Sequence, residues 1–268
     1  NNDDNDLNDL PEKEIYSIAE AGEITKSLQI IHYDYSGKNK FQFSAIAMNQ
    51  VLQNPSGAHY YLLTVGINSK KYLENIGFFG SAYYQTGKNT LAQSKNAYQF
   101  SANVDFLIHS KFNVILGTEW LSGRNFDTDS GENKSFSPMY GTNHLYNGFM
   151  DYFYFGNSHF NSFGLNDYYL KSNLKFSPNS ILQANLHAFT SNGKLGFDTS
   201  GEKIPSYLGT ELDLVFTHKI GKSITANLGH SFMFSGKSME YLKNVPEPKN
   251  LQTWSWIAFR IAPNFRIK

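Results

Sequence analysis

The feature that most constrains this chain is an alternation of apolar and polar residues over long segments. Side chains of a β-strand point alternately to opposite faces, so a period of two predicts strands with one apolar and one polar face. In one segment the apolar members are Tyr98, Phe100, Ala102, Val104, Phe106 and Ile108, and the polar residues between them are Gln99, Ser101, Asn103 and Asp105. Alternation of varying strictness marks eleven segments, at 27–35, 41–50, 59–68, 76–85, 97–108, 112–121, 166–176, 181–190, 208–218, 223–234 and 252–262.

The prolines support these boundaries, because all eight lie outside the eleven segments. Proline has no backbone N–H and cannot donate to a sheet ladder. No segment of useful length shows the 3.6-residue period of an amphipathic helix. The sequence therefore predicts an all-β fold.

Strand length and loop length refine this prediction. The segments are about 9 to 12 residues long, whereas strands of soluble sheets have a mode of ~5–6, and a tilted strand needs ~9–11 residues to cross a bilayer. Short connections alternate with long ones along the chain, as in outer-membrane barrels, whose short turns face the periplasm. We therefore expect an antiparallel transmembrane β-barrel. The short connections are 36–40, 69–75, 110–111, 177–180 and 219–222, and the long ones are 51–58, 87–96, 122–165, 191–207 and 235–251.

The composition is neutral but rich in aromatic residues. The chain has 23 Lys+Arg against 23 Asp+Glu, no Cys, 22 Phe, 17 Tyr and 3 Trp. Zero net charge gives no electrostatic reason to expect a nucleic acid, and the lack of Cys excludes disulfides, thiolate zinc sites and cysteine nucleophiles. Tyr and Trp favour the membrane interface. Aromatic residues near strand ends or on the apolar face are Tyr33, Tyr35, Phe41, Tyr61, Tyr84, Tyr98, Phe112, Trp120, Tyr168, Phe176, Phe232 and Phe259.

The loop pattern also predicts a topology. If the last strand runs towards the periplasm, every short turn is periplasmic and residues 122–165 form one large extracellular loop. Residues 1–23 form an acidic, polar N-terminal segment on the extracellular side, ahead of a barrel over 24–268. Bacterial single-chain barrels have even strand numbers. With about 11–12 strands visible, we expect the C-terminal part of a larger barrel of roughly 16–18 strands.

An ordered series of short motifs runs along the chain: GTEWLSG at 117–123, FSPMYGTNH at 136–144, NGFMDYFY at 147–154, GL at 164–165, SYLGTELD at 206–213, SMEYL at 238–242 and WSWIAFRIAP at 254–263. This series resembles the alginate-export-like outer-membrane barrels (porins) common in Bacteroidetes. The likeness covers roughly residues 24–265 and implies an outer-membrane porin or exporter for a polysaccharide or another polar solute. Family members are longer, with further strands upstream.

The polar faces of the strands supply the candidate functional residues. If the apolar faces meet lipid, the polar faces line a lumen, where rings of one charge select ions of the opposite charge. Acids equal or outnumber bases there, which argues against a polyuronate such as alginate. The pore-lining candidates are Asp105, Glu119, Asp167, Lys171, Lys175, His187, Glu211, Asp213 and Arg260, and the loop or constriction candidates are Arg124, His144 and Asp151.

Catalytic motifs are absent from the sequence, which has neither a G-x-S-x-G elbow nor an H-E-x-x-H pair. We expect no enzyme activity, no cofactor and no metal. The expected location is the bacterial outer membrane, with lipid, a polar solute or polysaccharide and other outer-membrane or periplasmic proteins as partners. Two alternatives stay open: a surface receptor or scaffold barrel within a larger complex, and a soluble all-β carbohydrate-binding module.

Overall fold

The structure is a computed structural model that describes residues 24–38, 40–54, 56–139, 147–153, 162–243, 245 and 249–263. These residues form twelve β-strands and one short helix. The strands are β1 (Ile24–Ser36), β2 (Phe41–Gln53), β3 (His59–Leu73), β4 (Ile76–Lys88), β5 (Ser94–His109), β6 (Phe112–Leu121), β7 (Glu132–Asn133), β8 (Leu165–Ser177), β9 (Ser180–Thr190), β10 (Tyr207–Lys219), β11 (Ile224–Ser235) and β12 (Leu251–Ile261), and the helix is α1 (Lys237–Lys243).

All strands belong to one sheet. Eleven of them follow one another in chain order, each antiparallel to the next, and the two-residue β7 pairs with β5 in parallel. This confirms the all-β, antiparallel prediction. The total strand number of the barrel, and the division into residues 1–23 and 24–268, stay predictions; residues 1–23 lie outside the described residues.

The observed strands extend the predicted ones at several ends. Because β2, β4 and β5 are longer than predicted, the connections 54–58 and 89–93 are short. The long connections are therefore 122–164, 191–206 and 236–250, all at the same end of the sheet. Helix α1 was not predicted, since seven residues are too few for a helical period to stand out. None of the described helices is long and apolar enough to cross a membrane.

The two faces of the sheet have opposite character. We call the face that residues 147–153 contact the inner face, and the opposite face the outer face. On the outer face, Leu212, Leu186, Leu170, Leu116 and Val104 are cross-strand neighbours in one row over five strands. Exposed outer-face aromatics include Tyr33, Tyr61, Tyr84 and Trp120, as the sequence predicted.

The inner face carries polar side chains, and many of them are buried. Gln85, Gln99 and Asn185 are each less than 8% exposed. The burial of the two faces is thus the inverse of that in a soluble protein, where the apolar face of a sheet is buried and the polar face is exposed.

The apolar core lies at the end of the sheet that bears the long connections. It includes Phe136, Phe153, Phe163, Leu195 and Ile204 from these connections. The strand residues that meet them stand at the adjoining strand ends: Ala97, Leu121, Leu165, Phe189, Leu208 and Met233. The long connections therefore fold over this end of the sheet and pack there.

Candidate functional site

The inner face brings together all nine predicted pore-lining residues. Their accessibility divides them: Lys175 and Arg260 are exposed, whereas Asp167, His187, Glu211 and Asp213 are at most 2% exposed. Pore lining stays a prediction for all nine residues. The nine share one face because the register of the paired strands aligns their alternating positions. They are Asp105, Glu119, Asp167, Lys171, Lys175, His187, Glu211, Asp213 and Arg260.

Residues 147–153, which we call the inner segment, contact the buried Glu211. The backbone N–H of Met150 donates to Glu211 Oε1 at 2.9 Å. Two aromatic contacts add to this bond: Phe149 packs edge-on against Trp256, and Phe153 lies 4.6 Å from Phe189 between ring centroids. The part of the large connection that the structure describes here therefore folds against the sheet, which is the condition under which Asp151 joins the inner face.

The backbone of the inner segment needs unusual conformations. Gly148 has φ +84°, and Asn147 and Asp151 have φ +66° and +54°. A Cβ on Gly148 would stand 2.5 Å from Glu211 Oε1. Glycine at this position therefore permits both the left-handed backbone and the approach of the carboxylate.

Tyr152, near the C-terminal end of the inner segment, forms hydrogen bonds to β12 and to α1. Its hydroxyl donates to Gln252 on β12, and its carbonyl accepts from the Lys243 ammonium of α1. Burial and, secondly, the negative charge of Glu211 raise the pKa of the Tyr152 hydroxyl. This group therefore keeps its proton, and its role as donor, at neutral pH and above.

A buried network of acidic groups lies behind the inner segment. His187 Nδ1 is 2.9 Å from both oxygens of Asp167, and its Nε2 is 4.0 Å from Asp213 Oδ2. Ser231 donates to Asp213 Oδ1 at 2.5 Å. His187 is thus held between two carboxylates, whereas a Ser-His-Asp relay needs a histidine bonded to the nucleophilic hydroxyl.

Glu119 and Lys171 border this network. Gln99 Nε2 donates to Glu119 at 3.2 Å, and Glu119 stands directly opposite Asp167 on the neighbouring strand. The Lys171 ammonium lies 4.6 Å from the ring centre of Tyr169. Four carboxylates therefore share this region with one lysine. Within the chain that the structure describes, no group of three or more His, Asp or Glu side chains is arranged to hold a metal ion.

A recess of about 350 Å³ is lined by the inner segment and by β12. Its lining combines aromatic rings from Phe149, Tyr152 and Trp254 with the polar groups of Asp151 and Gln252. A mixed lining of this kind suits an amphipathic polar solute, because the rings contact its apolar face and the polar groups bond to its edge.

The earlier part of the large connection is held by residues that the sequence reasoning missed. Buried Lys95 donates to Asn133 Oδ1 at 3.1 Å, to the Ser135 carbonyl and to Ser137 Oγ. Gln85 exchanges two bonds with the Ser137 backbone, of 2.9 and 3.0 Å. Lys95 precedes the predicted strand start at 97, so the periodicity carried no signal for it.

The three predicted loop residues have different outcomes. Asp151 lines the recess. The Arg124 guanidinium lies over the ring of Phe163 at 4.2 Å, within the packed connections. His144 lies outside the described residues. Gln252, Trp254 and Trp256 were missed, although their alternation with Thr253 and Ser255 placed them on one face of a predicted strand.

No protein-family profile and no curated protein sequence matches the chain. Among solved structures it is similar to the NanC porin, at 8% identity over 88% of this chain and 93% of that one, with a TM-score of 0.41. It is also similar to the toluene transporter TodX of P. putida, at 9% identity over 76% of this chain and 62% of that one, with a TM-score of 0.34. Likenesses at this level assign the chain to no family, and the resemblance to alginate-export-like barrels stays a prediction.

Proposed function

We propose that this protein is a channel of the bacterial outer membrane that admits a polar solute. The observation that carries the proposal is the inverted burial of the sheet. Apolar side chains of the outer face are exposed, among them Ile31 at 76%, Leu116 at 59% and Ile257 at 60%. A continuous apolar surface of this extent marks an interaction or membrane surface. Lipid is the environment that suits this apolar outer face. Strands of 10 to 16 residues are long enough to cross a bilayer.

The polar inner face supports passage of a polar solute. The recess beside the inner segment offers aromatic rings together with an amide and a carboxylate, a combination that fits a saccharide-like ring. The charged residue in the described lining of the recess is Asp151. A carboxylate there disfavours a polyanion such as alginate, so we propose an uncharged saccharide or a similar polar solute.

We propose that transport is passive, with no catalytic step and no cofactor. The support is chemical. Among the described contacts, His187 faces carboxylates on both sides, whereas the serine-bonded histidines His218 and His230 have no carboxylate partner there.

Fractionation and conductance test the proposal. We expect the full chain to leave membranes only with detergent and to form pores in planar bilayers that a neutral oligosaccharide blocks in a concentration-dependent manner. Release in salt or carbonate would support the soluble carbohydrate-binding module instead. A membrane protein that never conducts would support the receptor or scaffold.

A further inference from the structure

Two buried carboxyl groups stand side by side on β10, where the inner segment contacts the sheet. Glu211 and Asp213 are two residues apart, so their side chains lie on the same face, and they are 0% and 1% exposed. The two carboxyl groups are within hydrogen-bonding reach of each other. Each has one oxygen in use: Glu211 Oε1 accepts the Met150 N–H at 2.9 Å, and Asp213 Oδ1 accepts the Ser231 hydroxyl at 2.5 Å.

The other oxygen of each carboxyl group lacks a donor. Among the described residues, neither Glu211 Oε2 nor Asp213 Oδ2 receives a hydrogen bond. His187 does not supply one, because its Nε2 is 4.0 Å from Asp213 Oδ2, beyond hydrogen-bonding distance. A buried carboxylate oxygen without a donor is costly, and two adjacent buried carboxylates also repel each other. One proton between the two groups removes both costs.

The neighbouring charged and titratable side chains have other contacts. The Tyr152 hydroxyl donates to Gln252, and Lys243 of α1 donates to the Tyr152 carbonyl. The Lys171 ammonium attracts Asp213 by charge but lies against the ring of Tyr169, 4.6 Å from the ring centre. The groups that neighbouring elements contribute are His187 on β9, Asp167 and Lys171 on β8, Glu119 on β6, and Asp151 and Tyr152 on the inner segment.

We propose that Glu211 and Asp213 share one proton, and that this proton keeps the inner segment docked. Loss of the proton to water leaves two adjacent anions that repel each other. Asp213 is held by Ser231, whereas both oxygens of Glu211 lie against Gly148, 2.5 and 2.7 Å from the position of a Cβ there. The repulsion therefore pushes Glu211 against the inner segment and breaks its bond to Met150. The effect on conductance rests on the proposed channel function.

The direction of the pH dependence follows from the proton count. The docked state holds one proton more than the released state, in which both carboxyl groups reach water and ionise. Acid therefore favours the docked state, and alkali favours release. Above the pH at which the pair loses its proton, the ratio of released to docked protein should rise about tenfold per pH unit.

Two amide variants test the proposal. In Glu211→Gln and in Asp213→Asn, an amide N–H takes the place of the shared proton and is not lost as the pH rises. We expect the conductance of the wild-type protein to increase with pH, and that of both variants to stay at the wild-type acid level. Asp105→Asn removes another inner-face carboxylate and should retain the wild-type pH dependence. A wild-type conductance independent of pH, or a pH dependence that persists in both amide variants, would overturn the proposal.

Two spectroscopic measurements in detergent need no pore. Trp254 lines the recess and Trp256 packs against Phe149, so their fluorescence should shift to longer wavelength on release, in the wild-type protein only. The infrared C=O band of a protonated carboxyl group should disappear in step with this shift, and both amide variants should lack that band. Its absence from the wild-type protein in acid, as when a metal cation replaces the proton, would overturn the proposal. If both changes occur in protein that never conducts, the shared proton stands and the channel proposal fails.

Discussion

Glu211 is one of the residues through which the sheet holds the inner segment. It is fully buried on β10, and its Oε1 accepts the backbone N–H of Met150. The bond joins residues 61 positions apart in the chain, across the inner face. The docked position of the inner segment therefore depends in part on this carboxylate and on Gly148, which lets the carboxylate approach.

Replacing the carboxylate should release the inner segment. We expect Glu211→Ala to leave the Met150 N–H unpaired, at a cost of about 1–3 kcal/mol to the docked state of the segment. The measurement is single-channel conductance, which should increase, with more frequent switching between levels. Glu211→Gln retains an acceptor oxygen and should change conductance less. The control is Glu240→Ala at an exposed site of α1; equal effects from Glu211→Ala and Glu240→Ala would contradict the anchoring role.

A side chain at position 148 should also release the inner segment. Gly148→Ala adds a Cβ 2.5 Å from Glu211 Oε1 and forces a residue with a side chain to φ +84°, a backbone strain of about 1–3 kcal/mol. Gly221→Ala is the matched control, because Gly221 has φ +91° with no atom within 4 Å of its Cβ position. Thermal unfolding reports the shared strain, and conductance reports the clash. If conductance changed in both variants, or in neither, the contact between residue 148 and Glu211 would not be what positions the inner segment.

At the scale of elements, three glycines within strands are covered by aromatic rings of the neighbouring strand. Gly66 lies opposite Tyr83, Gly117 opposite Tyr169 and Gly229 opposite Trp256, all on the inner face. A Cβ on any of these glycines would stand between 2.0 and 2.4 Å from the ring. A ring that lies over a glycine compensates for the missing side chain and pins the strand register.

Filling one of these positions should destabilise the sheet. Gly117→Val displaces the ring of Tyr169, which bonds to Asn103 at 3.2 Å and lies beneath Lys171. We expect a loss of about 1–3 kcal/mol in unfolding free energy, as for other overpacked sites. The loss is measured by urea unfolding, in which the folded fraction is read from the mobility difference between heated and unheated samples on a gel. Gly80→Val is the control, since the nearest atom to its Cβ position is 3.8 Å away; an equal loss in both variants would indicate a general effect of valine.

At the scale of the whole molecule, the two faces should respond oppositely to charge. Leu186 stands near the middle of β9 on the outer face, and Gln183 stands on the inner face of the same strand. We expect Leu186→Arg to cost about 2–4 kcal/mol, the range for arginine at the bilayer midplane, and Gln183→Arg to cost little. Folding into lipid vesicles at increasing urea measures both. If the two arginines were tolerated equally, water would contact both faces, and the outer face would not face lipid.

The sequence alone determined the eleven long strands, apart from some of their ends, and the side of the sheet on which the residues of the predicted segments lie. Alternation is a local property of the extended backbone, so Asp213 and Leu212 could be assigned to opposite faces without knowledge of their neighbours. The tertiary structure decided what covers the inner face. That Glu211 accepts a backbone N–H, and that Trp254 borders a recess, depends on residues 147–153 docking against strands distant in the chain. Contacts of this kind depend on shape and on single hydrogen bonds, which leave no period in the sequence.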